Sequence, residues 1–436
     1  MKIKKITLKN YKCFEKIEVD FHDRLTVIVG GNGCGKSSVL EGVAVSLGTM
    51  LTGLDGLSGV SISRKDVRLK AYRMGESEDI QVQYPVEIRA EGVVDAKEIV
   101  WTRSLNREGG STTVKDAKQM LSVAKDYQRR LREGDRNLIL PVIAYYGTGR
   151  LWDSHREKKA DSFIKNTKTN GYIDSLDGTA NIKLMMNWFQ KKSVQMAQKS
   201  AVGFHAFLGL NAVYWAMARC FECITGYKEV KLLYNLDTNE MDCCYVDDDG
   251  FSMNIPLSQM SDGYKNTISL IADIAYRMAV LNPQLGTNVL KDTDGVVLID
   301  EIDLHLHPAW QHRILSDLQE IFPKVQFIVT THAPAVISSA KSENLVILEN
   351  YEVLDAAAEI YGNDINSILK SIMGVSDRNP VIAELFEKFY SLLNDRQYDE
   401  AEKILDEIDE QRDYHDKEVA ADRVKLKLER IRGGRK

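Results

Sequence analysis

The sequence predicts an α/β fold organised around a phosphate-binding sheet, and three stretches predict it. Residues 25–38, LTVIVGGNGCGKSS, carry a β-branched apolar run into a glycine-rich loop and then a helix. Residues 295–303, GVVLIDEID, read as a buried strand that ends in two adjacent carboxylates. Residues 325–332, VQFIVTTH, are a further strand with a histidine at its end.

Length and charge set the limits. A chain of 436 residues allows two or three lobes around a sizeable core. A formal charge of −6 and a pI near 5.9 argue against a surface built throughout to hold nucleic acid, and leave room for a local basic groove. The opening MKIKKITLKNYKCF alternates lysines with apolar residues and never builds the apolar core of a signal peptide. No apolar stretch approaches the ~20 residues needed to cross a bilayer. The six cysteines are too sparse for a disulfide framework, so a reduced, cytoplasmic protein without a membrane partner is expected.

In the first loop, Gly30-x4-Gly35-Lys36-Ser37 has P-loop spacing, with strand before and helix after as the mechanism needs. Glycines let backbone N–H groups turn inward around phosphates, and the following helix end favours an anion. Lys36 would neutralise β- and γ-phosphates and Ser37 would hold Mg²⁺, so ATP with Mg²⁺ is the expected ligand. Val39, Leu40, Val43 and Leu47 share one face of the helix, which should pack on the sheet.

In the second stretch Asp300 is placed to hold the Mg²⁺ water shell and Glu301 to polarise an attacking water. Upstream, Met260-Ser261-Asp262-Gly263-Tyr264 precedes a helical run from Tyr264 to Val280, in which Ile268, Ile271, Ala272, Ala275 and Met278 keep helical spacing. Ser261 therefore lies near a helix N-terminus, as a second phosphate-binding element or as an ordinary cap.

In this order the motifs resemble those of ABC-type ATPases, in the SMC, RecF and OLD branch rather than the transporter subunits. The opening ITLKNYKCFEKIEVDFHDRLTVIVGGNGCGKSSVLEGV supports that branch, whose heads begin with two strands before the P-loop strand. The resemblance covers residues 1–50 and about 255–350. It implies an ABC-type P-loop ATPase head of mixed or parallel sheet with flanking helices. Gly30, Asn32, Gly33, Cys34, Gly35, Lys36, Ser37 and Ser38 would hold the nucleotide, and Ser37 and Asp300 the Mg²⁺. Glu301 and His332 would be catalytic, with His332 at the γ-phosphate. Ser261 and Gly263 would cap the ATP of a neighbouring chain. Asp303 would join that site, and His305 and His307 would lie where facing chains touch. The working unit would then be a homo-oligomer, a dimer or larger. A Q-loop glutamine is not evident. The strand Leu138 to Tyr145 and Gly147-Thr148-Gly149-Arg150 occupy its region, with Arg150 either a phosphate contact or part of a plain turn.

The 225 residues from Lys36 to Ser261 hold strand-like segments near 80–104 and 138–146 and helical ones near 114–134, 180–199 and 203–224, with glycines that interrupt any heptad seam. This excludes the long arm of an SMC protein, and the tail from Leu345 reads as one short strand followed by helices, without an OLD-type nuclease. What remains resembles the compact PtuA-type ATPases of Septu antiphage systems, supported by AYYGTGR at 144–150 and the tail NDRQYDEAEKILDEIDEQ. That likeness implies a regulatory, defence-associated ATPase controlling a separate HNH-type nuclease. The alternatives are a RecF/SMC-like ATP-dependent DNA-binding clamp in repair and a transporter motor. The expected parts are a head with the P-loop over 1–104, a mainly helical insert over 105–225 with a head strand near 138–146, the rest of the head over 226–351, and a helical extension over 352–436.

Two other constellations are weaker. Cys220-x2-Cys223 has half-zinc-site spacing, but Cys243 and Cys244 are adjacent and poor tetrahedral partners. The terminal DRVKLKLERIRGGRK suits DNA, an acidic partner face or a solvated helix. Ala401, Ile404, Leu405 and Ile408 form an apolar helix face that needs cover from the head or from another chain.

Overall fold

A computed structural model describes the chain except residues 75–76, 150–166, 179–181, 201–207, 248, 355–379, 411–416 and 434–436. The chain divides into two compact units, Met1–Asn363 and Asp364–Lys436.

The first unit begins with β1 (Lys2–Tyr11), β2 (Phe14–Asp20) and β3 (Leu25–Gly30), then α1 (Lys36–Thr52). The hairpin β4 (Leu69–Met74) and β5 (Ser77–Val82) leads to β6 (Val86–Val94), β7 (Lys97–Leu105), α2 (Lys118–Arg132) and β8 (Val142–Tyr146). Then come α3 (Ile182–Ser200), α4 (Leu208–Thr225), the strands β9 (Lys228–Asn235), β10 (Glu240–Val246) and β11 (Ser252–Pro256), and α5 (Asp262–Leu281). The unit continues through α6 (Val289–Asp292), β12 (Gly295–Ile299), α7 (Pro308–Gln311), α8 (Ile314–Ile321), β13 (Val325–Thr330), α9 (Pro334–Ser339), β14 (Leu345–Glu349) and β15 (Glu352–Leu354).

The central sheet has the order β15-β14-β3-β13-β12-β8, and only the edge strand β15 runs antiparallel. Strands β3, β12 and β13 are buried at every position, as their unbroken apolar runs require. A second, antiparallel sheet has the order β2-β1-β6-β7, and α1 lies between the two, touching strands of both. The sequence expectation of one packed face on α1 is therefore corrected. Beyond Val39, Leu40, Val43 and Leu47, the helix buries Gly42, Ala44, Ser46, Gly48 and Thr49. Small residues let the second sheet approach closely: a Cβ on Gly42 would sit 2.7 Å from a Leu8 methyl. The Trp101 indole N–H of β7 donates to the Ser46 carbonyl at 2.9 Å, so its polar atom is paired where the ring is buried.

The expected mainly helical insert over 105–225 lies within the first unit, and its expected head strand is β8. Helix α2 packs on α1 and β7, β8 is the edge strand of the central sheet, and α4 packs on α5 and β9. The expected boundary between 351 and 352 falls between the paired strands β14 and β15, whereas the unit boundary follows Asn363. Sequence reading missed β15 because three exposed residues, Glu352–Leu354, carry no strand-length apolar pattern.

The second unit holds three described helices, Pro380–Asn394, Tyr398–Glu410 and Lys417–Gly433. Ala401, Ile404, Leu405 and Ile408 pack with Ile382, Phe386, Phe389, Leu393, Val419 and Leu426 in one core. The apolar face expected to need the head or another chain is thus covered by its own neighbours. Arg423 bonds Asp406 and Asp409 at 2.7 Å, and Arg430 pairs with Asp399 and Glu402, so part of the basic run is matched by the acidic helix before it.

Candidate functional site

The loop after β3 is shaped by its glycines. Gly30, next to Leu348 in the sheet register, has no space for a side chain, because a Cβ there would collide with the Leu348 carbonyl oxygen. Gly35 caps α1 with φ +99°, a left-handed conformation that costs other residues strain. The turn directs the start of α1 at a cleft of about 330 Å³ lined by Asn32, Gly33, Gly35, Lys36, Ser37 and Ser38 from the loop and helix. The opposite wall is Asp300, Glu301 and His332.

Register brings those three residues to one edge. Strands β12 and β13 run parallel with Ile299 beside Val329, so the next residues, Asp300 just past β12 and Thr330 at the end of β13, come side by side. The Thr330 hydroxyl donates to Asp300 Oδ1 at 2.5 Å, and its oxygen accepts the Glu301 amide at 2.7 Å. The Asp300 amide donates to the Tyr146 carbonyl at 2.8 Å. One buried hydroxyl therefore orients the first carboxylate and fixes the backbone of the second, and Glu301 takes φ +46°. Asp300 is 3% exposed.

Lys36 is 6% exposed, and its ammonium donates to the Gly30 and Gly31 carbonyls at 3.0 and 2.9 Å. Burial lowers its pKa, opposed by the charges of Cys34, Asp300, Glu301 and Asp303. His332 also falls below the ordinary imidazole value, through burial first and the Lys36 charge second. Asp303 lies behind it: its Oδ1 accepts from the Thr331 hydroxyl at 2.5 Å and faces the His332 amide at 3.4 Å.

The structure places Cys34 beneath the loop, 3.9 Å from the Lys36 ammonium. It does not bring Ser261 and Gly263 into the cleft. Ser261 is the N-cap residue of α5, with no side-chain cap bond, and a Cβ on Gly263 would lie 2.7 Å from the His305 carbonyl oxygen. The first turn of α5 thus packs on the loop after the carboxylate pair, beside Trp310. Arg150 lies outside the described residues. Among the described residues no cluster of three metal-capable His, Cys, Asp or Glu side chains occurs; Cys220 and Cys223 sit on α4, and Cys243 and Cys244 on β10.

Sequence reading missed Lys12 and Cys13, which complete the cleft from the β1–β2 turn. Lys12 has φ +50°, pairs with Glu41 and loses basicity through burial. No periodic pattern marks this turn; only the packing of the second sheet over the start of α1 delivers it. The hydroxyl of Thr330, a polar residue ending an apolar strand, was the one legible sign of its role.

The residues present suit the ligands they imply. Amides at a helix start and a buried ammonium match a polyphosphate, and a serine hydroxyl with a carboxylate in one cleft supplies the hard oxygen donors that Mg²⁺ takes. Bound there, Mg²⁺ would neutralise charge on the β- and γ-phosphate oxygens.

A family model described as an AAA domain matches residues 5–201, and a second AAA-domain model matches residues 179–338. The chain is 28% identical to "Retron Ec83 probable ATPase" of Escherichia coli, over 91% of this chain and 81% of that one. It is 24% identical to "Septu protein PtuA" of Bacillus thuringiensis, over 93% of this chain and 91% of that one. The chain thus resembles ATPases of the SMC, RecF and OLD kind, defence-associated ones among them. Its α/β head brings Lys36, Asp300, Glu301 and His332 into one cleft. A solved SMC head domain from Thermotoga maritima matches this ATPase at 16% identity with a TM-score of 0.44, over 82% of this chain and all of that one. No described helix is long and apolar enough to cross a membrane.

Proposed function

We propose that this ATPase is the regulatory subunit of an antiphage defence complex, closing in pairs over shared ATP and controlling a separate HNH-type nuclease. Its similarity to retron and Septu ATPases over nine-tenths of its length supports the defence role. The observation that carries the shared site is the position of Ser261. The cleft holds the P-loop, Asp300, Glu301 and His332, while Ser261 stands at the start of α5, outside its lining. A helix N-terminus of this kind favours a phosphate, and a facing chain would provide one.

Within the cleft, Lys36 and the loop amides hold the phosphates, Ser37 and Asp300 hold Mg²⁺, and Thr330 keeps Asp300 in place. Glu301 polarises the attacking water, and neutral His332 meets the γ-phosphate. Closure on ATP and release on hydrolysis make the nucleotide a conformational clamp.

Mixing two dead variants tests the shared site. Lys36→Ala and Ser261→Arg homodimers should each hydrolyse ATP at background rate. In the mixed dimer one composite site joins an intact Lys36 to the partner's intact serine, so activity should return. Mixed dimers that neither hydrolyse nor close on ATP would assign the signature to its own chain. Co-purification with an HNH subunit tests the partner, and tight ATP-dependent duplex binding by the isolated chain would favour a DNA clamp instead.

A further inference from the structure

A second cavity, of about 320 Å³, lies away from the cleft, between α3, the 3₁₀ turn Lys168–Tyr172 and the end of α5. Its volume is comparable with that of the cleft and within the ~300–1,000 Å³ of small-ligand sites. Helix α3 presents one face to it: Asn187, Lys191 and Gln195 at four-residue spacing, with Trp188 and Lys192 alongside. The turn adds Lys168 and Asn170, and Ala279, Val280 and Pro283 form an apolar wall. Among the described lining residues three are cationic and none is anionic.

The cavity is rigidly built. Arg277 is held by Asp273 at 2.7 Å, and its guanidinium donates to the Gly171 and Ile173 carbonyls at 3.0 and 2.9 Å, clamping the turn that carries Lys168. A Cβ on Gly171 would lie 2.6 Å from Leu281, so the turn lies tight on α5. Trp188 is fixed by edge contacts with Phe189 and Tyr276, at 5.3 and 5.4 Å between centroids.

Within this frame the Lys168 ammonium is out of contact with water and has no hydrogen-bond partner. The carboxylate whose charge reaches it, Asp135, is already held by Arg130 at 2.8 Å and by the Asn137 amide. Burial accordingly depresses the lysine's basicity. A buried unmatched ammonium is costly, and an oxyanion offers the acceptors it lacks.

We propose that this cavity is a second ligand site that takes a small phosphate-bearing molecule. Lys168, Lys191 and Lys192 would hold the phosphate, while the amides of Asn170, Asn187 and Gln195 and the ring of Trp188 suit the remainder of a nucleotide. The proposal is independent of the shared ATP site.

The test uses the full chain carrying Lys36→Ala, so that the P-loop no longer competes. Calorimetric titration with inorganic phosphate, AMP and a twelve-residue oligothymidylate provides three arms. One molecule of AMP or phosphate should bind per chain, and Lys168→Met should weaken it at least tenfold while the exposed-site control Lys125→Met does not. Tighter binding of AMP than of phosphate brings the ring into the site, and equal binding makes phosphate itself the ligand; both support the proposal. Should Lys168→Met fail to fold, Lys191→Gln gives the same readout. Absence of binding by both small probes, binding undiminished in the folded lysine variants, or binding of the oligothymidylate alone overturns it.

Discussion

Lys36 and Lys168 are both lysines withdrawn from water, and the molecule treats them in opposite ways. Lys36 donates to two loop carbonyls and feels the charge of Asp300, Glu301 and Asp303. Lys168 has no hydrogen-bond partner, and among the described residues the charge of Asp135 is what offsets its burial. The first cation is stabilised by the fold that uses it, so its cleft is organised before any ligand arrives. The second is supported by a rigid wall but not neutralised by it, which makes its stabilisation depend on something from outside.

Perturbations should separate the two regions. The largest effect belongs to Glu301→Gln, which should slow hydrolysis about 10²–10⁴-fold while ATP still binds, since in the proposed mechanism it removes only the group that polarises water. Turnover close to that of the parent chain would remove Glu301 from the reaction. Lys36→Ala should weaken ATP binding about 10²–10³-fold, the size expected on losing one partner of a buried charge-assisted contact, and should leave phosphate probes at the Lys168 cavity untouched. If those probes were lost too, the two regions would not be independent.

Arg277→Met should destabilise the chain by about 3–5 kcal/mol in denaturant titration, because it strands a buried Asp273 and frees the carbonyls of Gly171 and Ile173. A cost under about 1 kcal/mol would mean that other contacts hold the Lys168 turn. Lys168→Met, without ligand, should raise stability by about 1 kcal/mol by removing an unmatched donor. A loss of stability would show that the cation already has a favourable environment.

The smallest effect is a titration. His332 has its pKa lowered by burial and by Lys36, so the folded chain favours the neutral imidazole. Its contribution to stability is present above the ordinary imidazole value of about 6.5 and is lost as pH falls through the lowered one. Nuclear magnetic resonance should place the His332 midpoint below the ordinary range, and Lys36→Met should move it upward. An unmoved midpoint would remove Lys36 from its surroundings.

The sequence by itself determined the elements of the cleft, because each carries a local signature. A β-branched run into Gly30-x4-Gly35-Lys36-Ser37 can be read without knowing its neighbours, and so can Asp300-Glu301 at a strand end. Tertiary structure alone decided what those elements meet. Small residues on α1 became a second packed face because another sheet lies over them, and that sheet's turn carried Lys12 and Cys13 into the cleft. Parallel register put Thr330 beside Asp300. The basic cavity joins Lys168 to Lys191 and Lys192 through the packing of α3 and the turn against α5. Local motifs follow from a few consecutive dihedral and side-chain preferences, whereas these meetings depend on contacts between distant segments, whose pairing is set by the packing of the whole unit.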